Sequence, residues 1–295
     1  MESPKRKLKE MLIQIFLFLN GTVAIISILL IFLFLLRHGL PALREIPLKD
    51  FFLGKIWQPV SDNPKYGILP LLSGTIVVTL TSLVIAVPIA IASAIYLGEF
   101  SGEREREIVK PFVEILSGIP SVILGFLALV VLGTYVQNIF HTTSRLNALT
   151  GSIILAVMLI PIILSISEDA INAVPKELRE ASLALGASKL QTTIHVVVPA
   201  AWSGIVAAVL LGVARVLGET MAVLMATGNA AQLTLNPLES VRTMTANIAI
   251  EMGEVPFGSV HFHALFAIGL VLFTITFVIN FIADRIITKY KEVGY

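Results

Sequence analysis

The chain has 295 residues, of which 56% are hydrophobic and only 14% are charged. Charged residues make up about 25% of an average soluble domain, so this composition is typical of a protein that lies mainly in a lipid bilayer. The net charge of +1 provides no electrostatic surplus for binding nucleic acid. Because the chain contains no cysteine, disulfides, thiolate nucleophiles and cysteine-ligated metals are excluded.

Six apolar runs are long enough to cross the bilayer, because about 20 helical residues span its hydrocarbon core. We expect membrane spans at residues 11–36, 72–97, 112–135, 149–172, 196–226 and 263–283. Six spans put both termini on the same side of the membrane. The sequence therefore predicts an all-α, polytopic membrane protein.

The distribution of positive charge predicts the orientation of these spans. With the N-terminus inside, the inner segments hold thirteen Lys or Arg residues and the outer segments hold seven. Positive residues favour the cytoplasmic side, so we expect both termini in the cytoplasm and the chain in the cell (inner) membrane. The first run follows a basic leader but is longer than the apolar part of a signal peptide, and we expect it to be retained as a helix.

The expected domain organisation has three parts. Residues 1–70 form an N-terminal membrane helix and an extracytoplasmic loop, residues 71–288 form a transmembrane domain, and residues 289–295 form a cytoplasmic tail. The outer segment 38–70 is rich in proline and aromatic residues, which predicts an ordered loop near the membrane interface. Within the transmembrane domain, the run from Glu103 to Lys110 predicts a solvated cytoplasmic helix start or a partner contact, and Pro120 predicts a kink in span three.

The cytoplasmic loop at residues 174–199 predicts two short helices joined at a glycine. Leu178, Ala181 and Leu185 fall on one helical face. Gly186 can end that helix in the left-handed conformation, and Ser188 can cap a second short turn. We expect a compact helical elbow whose small residues let it sit closely in a groove of another protein.

Span five carries two ionisable residues, Arg215 and Glu219, which lie four residues apart and would share one helical face. Arg215 lies about 24 Å along the helix from its cytoplasmic end. Small residues recur every four positions at Gly204, Ala208 and Gly212, a pattern typical of helix contacts in membranes. We predict an Arg215–Glu219 pair that faces the bundle, where it either lines a polar path or clamps the helices.

The outer segments contain two further groups of polar residues that could bind a ligand. Arg242, Thr243 and Thr245 lie in the second outer loop, where they either meet a partner or an anion or only build the loop. His261 and His263 have a spacing that zinc tolerates, but no third ligand lies nearby in the sequence. We therefore predict no metal site there.

The elbow resembles the cytoplasmic signature of importer permeases of ABC transporters, which reads EAA, three residues, Gly, nine residues and then I-x-L-P. The matching residues are Glu180, Ala181, Ser182, Gly186, Val196, Val198 and Pro199. The resemblance implies a type I importer fold of the MetI-like kind. It also implies that Glu180, Ala181, Ser182 and Gly186 belong to a coupling helix that docks on the ATPase.

Five other blocks resemble the phosphate importers, and specifically their PstC-type permease. They are WQP at 57–59, GILPLLSGT at 67–75, GIPSVILG at 118–125, ARVLGETMAV at 214–223 and RTMTANIAIEMGE at 242–254. The resemblance implies three kinds of partner: a sister permease of the PstA type, two copies of an ATP-binding subunit and an extracytoplasmic phosphate-binding protein. If phosphate is the substrate, Arg215 and Glu219 are better explained as lining the pathway than as a clamp, since guanidinium binds tetrahedral oxyanions through paired hydrogen bonds.

The sequence contains no GxxxxGK[ST], HExxH or GxSxG motif, so we expect no enzyme activity and no cofactor in this chain, with ATP and Mg²⁺ bound by the partner subunit. Two alternatives to a phosphate permease stay open. One is a permease for another oxyanion, such as sulfate or molybdate. The other is a passive anion channel, which would have no use for the elbow.

Overall fold

The computed structural model describes residues 4–293, with the side chains of residues 10–102 and 104–286. The side chains of the basic leader at residues 5–9 and of the expected tail at 289–295 lie outside this part, as does the backbone of residues 294–295. The described helices are α1 (Pro4–Glu45), α2 (Leu48–Leu53), α3 (Leu69–Ile95), α4 (Glu103–Ser117), α5 (Ser121–Leu127), α6 (Gly133–Phe140), α7 (Ala148–Asn172), α8 (Lys176–Ala184), α9 (Lys189–Thr192), α10 (Val198–Leu217), α11 (Met221–Ala226), α12 (Met244–Glu251) and α13 (Val260–Val293).

Six helical segments of the described chain are long and apolar enough to cross a membrane. They are Glu10–Glu45, Leu69–Phe100, Ser121–Phe140, Ala148–Asn172, Lys189–Leu217 and Val260–Ile286. Three π-helical turns, Tyr96–Phe100, Ala128–Leu132 and Thr193–Val197, extend or join the α-helices of spans two, three and five. The predicted number of spans and the all-α class are confirmed.

The centre of the bundle is formed by α3, α7 and α10, which pack against one another. A Cβ atom added at Gly204 would lie 2.4 Å from the Ala170 side chain, and one added at Gly212 would lie 3.1 Å from the Ile163 side chain. Ala208 between them is fully buried. The small-residue face of span five therefore packs closely on span four, as its spacing predicted.

The outermost spans, α1 and α13, pack against each other. The ring of Phe32 lies 5.6 Å from that of Phe273, and a Cβ atom at Gly39 would lie 3.0 Å from the backbone of Ala267. The apolar side chains of α1 from Met11 to Phe34 are otherwise largely exposed. This exposure is expected where a helix is surrounded by lipid.

The third span was predicted at the wrong residues. Instead of one helix over 112–135, the chain forms the amphipathic helix α4, turns at 118–120 and then spans from Ser121 to Phe140. Pro120 is the residue before α5 and has an extended backbone, so it separates two helices and does not kink one. Proline fits there because the first turn of a helix needs no N–H donor from the residue that precedes it.

The segment between α1 and α3 is ordered, as its composition predicted. It contains α2 and a short antiparallel hairpin in which Trp57–Gln58 (β1) pairs with Lys65–Tyr66 (β2). Phe51, Trp57 and Met244 are buried in a second apolar core together with residues of α1 and α13. This second core joins the two outer segments into one cap at the end of the bundle opposite the elbow.

Candidate functional site

Span five is broken where its charged residues lie. The helix α10 ends at Leu217, the next residues do not continue it, and the six-residue α11 follows from Met221. The short helix lies against α5, where a Cβ atom at Gly125 would be only 3.1 Å from the Cα of Ala222. Breaks in membrane helices are tolerated where the freed backbone groups are buried in protein or line a cavity. The broken span is therefore the first candidate for a polar path.

The predicted Arg215–Glu219 pair is not formed in the described residues. Arg215 lies in the last turn of α10 with an exposed side chain, whereas Glu219 is buried beyond the end of that helix. The Glu219 carboxylate accepts a hydrogen bond from the backbone N–H of Ala222 at 3.3 Å. The prediction was wrong because it extended the helix through Gly218, and the end of α10 at Leu217 removes the shared face.

The outer-loop residues Thr243 and Thr245 take part in internal contacts. Thr243 caps α12 by accepting a hydrogen bond from the Ala246 N–H at 3.2 Å, and both threonines are buried. Thr245 donates a 2.8 Å hydrogen bond to the backbone oxygen of Glu219. The loop is thus fastened to the break in span five, and contact of these residues with a receptor or an anion stays a prediction.

A cluster of polar side chains in the outer cap is centred on the Glu251 carboxylate. It accepts hydrogen bonds from Trp57 Nε1 at 3.0 Å and from Arg242 Nη1 at 2.9 Å, and His261 Nε2 lies 2.8 Å from its other oxygen. Arg242 and His261 also line a cavity of about 560 Å³. Glu251 therefore neutralises the cation that the sequence proposed for anion or receptor contact.

His263 does not belong to this cluster, since its Nδ1 lies 2.7 Å from the backbone oxygen of His38 in α1. The two histidines thus have different partners. Within the described residues, no three His, Cys, Asp or Glu side chains converge on a position where a metal ion could bind.

The elbow has the local structure that its sequence predicted. The helix α8 ends at Ala184, and Gly186 follows with a φ of +86°, in the left-handed region. Ser188 then caps α9: its hydroxyl accepts a hydrogen bond from the Gln191 N–H, and the Gln191 side chain accepts one from the Ser188 N–H. This reciprocal capping fixes the start of the second limb.

The surface of the elbow is largely exposed. No residue of α8 is buried, and the apolar side chains of Leu178, Leu183 and Leu185 are 45%, 48% and 90% exposed. A Cβ atom at Gly186 would meet nothing within 4 Å, so the turn is also open. Exposed apolar side chains on a helix with no buried residue are suited to association with another protein.

Two buried acidic residues near the elbow were not predicted from the sequence to be important. Glu168, inside span four, is fully buried and pairs with Arg106 and Lys110 of α4. Glu99, in the π-helical turn after α3, pairs with Arg179 of α8. An acidic residue within or next to an apolar span was the available signal, because membrane interiors tolerate such groups mainly when they are paired. Their partners are distant in sequence and could not be identified from it.

The α4 helix accordingly has a structural role besides any partner contact. Lys110 Nζ lies 3.1 Å from both Glu168 and the more exposed Asp169. Desolvation lowers the pKa of Lys110, but the hydrogen bonds to the two carboxylates outweigh it and the net pKa is raised. Lys110 therefore stays protonated and holds α4 against the end of span four.

Comparison with known proteins identifies the family. Residues 86–292 match the family described as "Binding-protein-dependent transport system inner membrane component". A probable ABC transporter permease protein, YqgH of Bacillus subtilis, is 41% identical over 77% of this chain and 74% of its own length. The phosphate transport system permease protein PstC of Mesorhizobium japonicum is 36% identical over 81% of this chain and 78% of its own, and the PstC of Haemophilus influenzae is 32% identical over 82% of both.

Two solved transporters share the fold. A chain of the MetNI methionine ABC transporter, solved in inward-facing conformations, aligns with a TM-score of 0.56 and 21% identity over 76% of this chain and 94% of its own. A chain of a bacterial ABC transporter involved in import of the polysaccharide alginate aligns with a TM-score of 0.58 and 17% identity over 96% and 99%. With the sequence matches, these findings show that the chain belongs to the family of inner membrane components of binding-protein-dependent ABC transport systems.

Proposed function

We propose that this chain is the permease subunit of an ATP-driven phosphate importer, in which it forms the translocation pathway together with a sister permease of the PstA type. The observation that carries the proposal is the exposed elbow: a helix with no buried residue, a left-handed glycine and a capped second limb. Such a surface suits docking of another protein. Family membership and the residues of the elbow make a nucleotide-binding subunit the best-supported partner.

Phosphate is the substrate that the relatives favour. Several curated relatives, between 32% and 36% identical to this chain, are named as phosphate transport permeases. The exposed guanidinium of Arg215 next to a broken membrane helix supports an oxyanion path, since guanidinium forms paired hydrogen bonds to such anions. Sulfate and molybdate are also tetrahedral oxyanions that can form such paired hydrogen bonds. A test of the substrate must therefore compare phosphate with them.

Transport would proceed by alternating access. An extracytoplasmic phosphate-binding protein would deliver the anion to the outer cap, and two copies of the ATPase would dock on the elbows of the two permeases. ATP and Mg²⁺ would bind to the ATPase, because this chain has no phosphate-binding loop motif. Positive charge favours cytoplasmic termini, which would put the elbow on the side where ATP is available.

Reconstitution tests this assignment directly. The chain is produced with its sister permease and ATPase, inserted into liposomes and supplied with the binding protein outside and ATP inside. We expect uptake of labelled phosphate that requires ATP and persists in a large excess of unlabelled sulfate or molybdate. Uptake without ATP would support a channel, and competition by sulfate as strong as by unlabelled phosphate would contradict phosphate specificity.

The intramembrane residues are tested in the same assay. If Arg215 contacts the anion, Arg215→Gln should abolish uptake without lowering thermal stability, because glutamine keeps hydrogen-bonding capacity but loses the charge. If Glu219 restrains Arg215 in a conformational state in which the two meet, Glu219→Gln should slow phosphate release and raise the amount of anion bound to the complex. If Arg215 and Glu219 instead clamp the helices in another conformational state, each single variant should be destabilised. The double variant should then recover both stability and uptake. That recovery would contradict the pathway role.

A further inference from the structure

The Arg179 side chain, next to the signature residues of the elbow, joins three elements at once. Its Nε and Nη2 donate to Glu99 Oε1 at 3.0 and 2.8 Å, and Nη2 also donates to the backbone oxygen of Ile171 at 2.8 Å. Nη1 donates to the backbone oxygens of Val174 and Pro175. The guanidinium thereby binds the end of span two, the end of span four and the chain that leads into α8.

These contacts use the particular chemistry of arginine. A guanidinium has five N–H donors in a fixed plane, and here five donor–acceptor contacts are formed. The oxygen of Ile171 lies in the last turn of α7 and that of Val174 lies two residues beyond its end, where a cation is stabilised by the helix dipole. A lysine would keep the charge but not this arrangement.

The end of span two places a largely buried carboxylate next to this arginine. Glu99 lies in the π-helical turn Tyr96–Phe100, and its side chain is only 8% exposed. A Cβ atom at the neighbouring Gly98 would be 2.8 Å from the Ile171 side chain, so spans two and four touch directly there. π-Helical turns are rare and are often found at functional positions.

In the described residues, two side-chain contacts join the helices α8 and α9 of the elbow to span two. The elbow itself is continuous in the chain with spans four and five. Besides the Arg179–Glu99 ion pair, Lys189 of α9 lies over the Phe100 ring at 5.3 Å from its centre. Because no residue of α8 is buried, packing of α8 side chains in the core cannot replace these polar contacts.

We propose that Arg179 and Glu99 form a strut that makes the elbow and the cytoplasmic ends of spans two and four move as one body. Arg179 is then a positioning residue: a displacement of the elbow by the ATPase reaches span two through it. The inference rests on the proposed function, since it assigns the residues that transmit force in an ATP-driven importer. It goes beyond docking, because it concerns how the docked elbow moves the pathway.

The test compares Arg179→Gln and Glu99→Gln with Arg285→Gln, a matched control at an exposed arginine near the end of α13, outside the elbow. Each variant is reconstituted with the sister permease, the ATPase and the binding protein. Phosphate uptake and ATP hydrolysis are measured together, with co-purification of the ATPase and thermal stability as further readouts. We expect phosphate transported per ATP to fall roughly tenfold in the two strut variants, within the range of coupling between distant sites, while the control is unchanged.

Replacing the Arg179–Glu99 ion pair with a covalent cross-link distinguishes a role in transmitting movement from a role in folding. The chain has no cysteine of its own, so the double variant Glu99→Cys, Arg179→Cys can be joined by a short thiol-reactive cross-linker at those two positions. We expect the double variant to hydrolyse ATP with little uptake, and uptake per ATP to recover after cross-linking. The unaltered complex treated with the same reagent is the control.

The outcomes are distinct. A ratio of uptake to hydrolysis in Arg179→Gln equal to that of Arg285→Gln would overturn the strut, as would a cross-linked double variant that fails to recover. A parallel loss of stability and uptake without recovery would mean that the pair only supports the fold. Absence of ATP-dependent phosphate uptake by the unaltered complex would contradict the proposed function instead.

Discussion

The buried carboxylate of Glu168 should contribute far more to stability than the neighbouring exposed one. Glu168 is fully buried and accepts a hydrogen bond from Asn172 while it pairs with Arg106 and Lys110. Asp169, one residue later, pairs with the same Lys110 at 3.1 Å, but its side chain is 66% exposed. The two residues thus share the partner Lys110 but differ in burial and in the number of their contacts.

The magnitude follows from these contacts. A hydrogen bond to a charged group contributes about 1.5–3 kcal/mol, and removing one partner of a fully buried pair costs about 3–5 kcal/mol. The side chains of Arg106 and Lys110 are 39% and 30% exposed and can turn to water, so we expect a cost below the range for a fully buried pair, about 2–3 kcal/mol, for Glu168→Gln. Asp169→Asn removes a surface pair and should cost about 0–1 kcal/mol.

Thermal unfolding in one detergent, with both variants heated at the same rate, measures this difference. By the scaling for soluble domains of about 150–250 residues, 2–3 kcal/mol lowers Tm by roughly 4–12 °C, whereas Asp169→Asn should shift it by about 4 °C or less. Replacing Arg106 with glutamine in the Glu168→Gln background should cost little more, since the carboxylate with which Arg106 pairs is already gone. Equal shifts for Glu168→Gln and Asp169→Asn would refute the argument that burial determines the contribution of the pair.

The remaining predictions concern the elbow and the orientation. Gly186→Val puts a β-branched residue at a positive φ, which costs about 1–2 kcal/mol, so co-purification of the ATPase should weaken about 5- to 30-fold while membrane insertion persists. Gly186→Asn, which tolerates that conformation, should be nearly normal, and wild-type docking by the valine variant would exclude the coupling role. A cysteine at Ser188 should react with an impermeant thiol reagent only from the cytoplasm, and one at Ser61 only from outside; the reverse result would overturn the orientation.

The elbow was predictable because its structure depends on local chemistry. The left-handed Gly186 and the Ser188 cap are determined by a few neighbouring residues, and both are confirmed. The packing of Gly212 on span four was predictable for a related reason, since the spacing of small residues directly marks a contact face.

The errors arose where hydropathy hid a boundary. The apolar side of α4, which includes Phe112 and Ile115, was added to span three and moved its predicted start before Pro120. The helix predicted around Arg215 continued past Gly218, whereas α10 ends at Leu217. Glycine is the residue that most often follows the end of a helix. Glu99 and Arg179 are 80 positions apart, and no local pattern can join residues at that distance.

The long first helix suggests where the chain tolerates sequence change. The 36 residues from Glu10 to Glu45 extend about 54 Å, well beyond the roughly 30 Å of hydrocarbon, and the matched family region begins only at residue 86. Between Met11 and Ile31 the side chains are mostly exposed in this chain, so their average affinity for lipid is the main constraint. Near Gly39, where the helix backbone meets Ala267, individual residues are constrained. In a saturation mutagenesis map, the first stretch should accept almost any apolar exchange, and the second should accept very few.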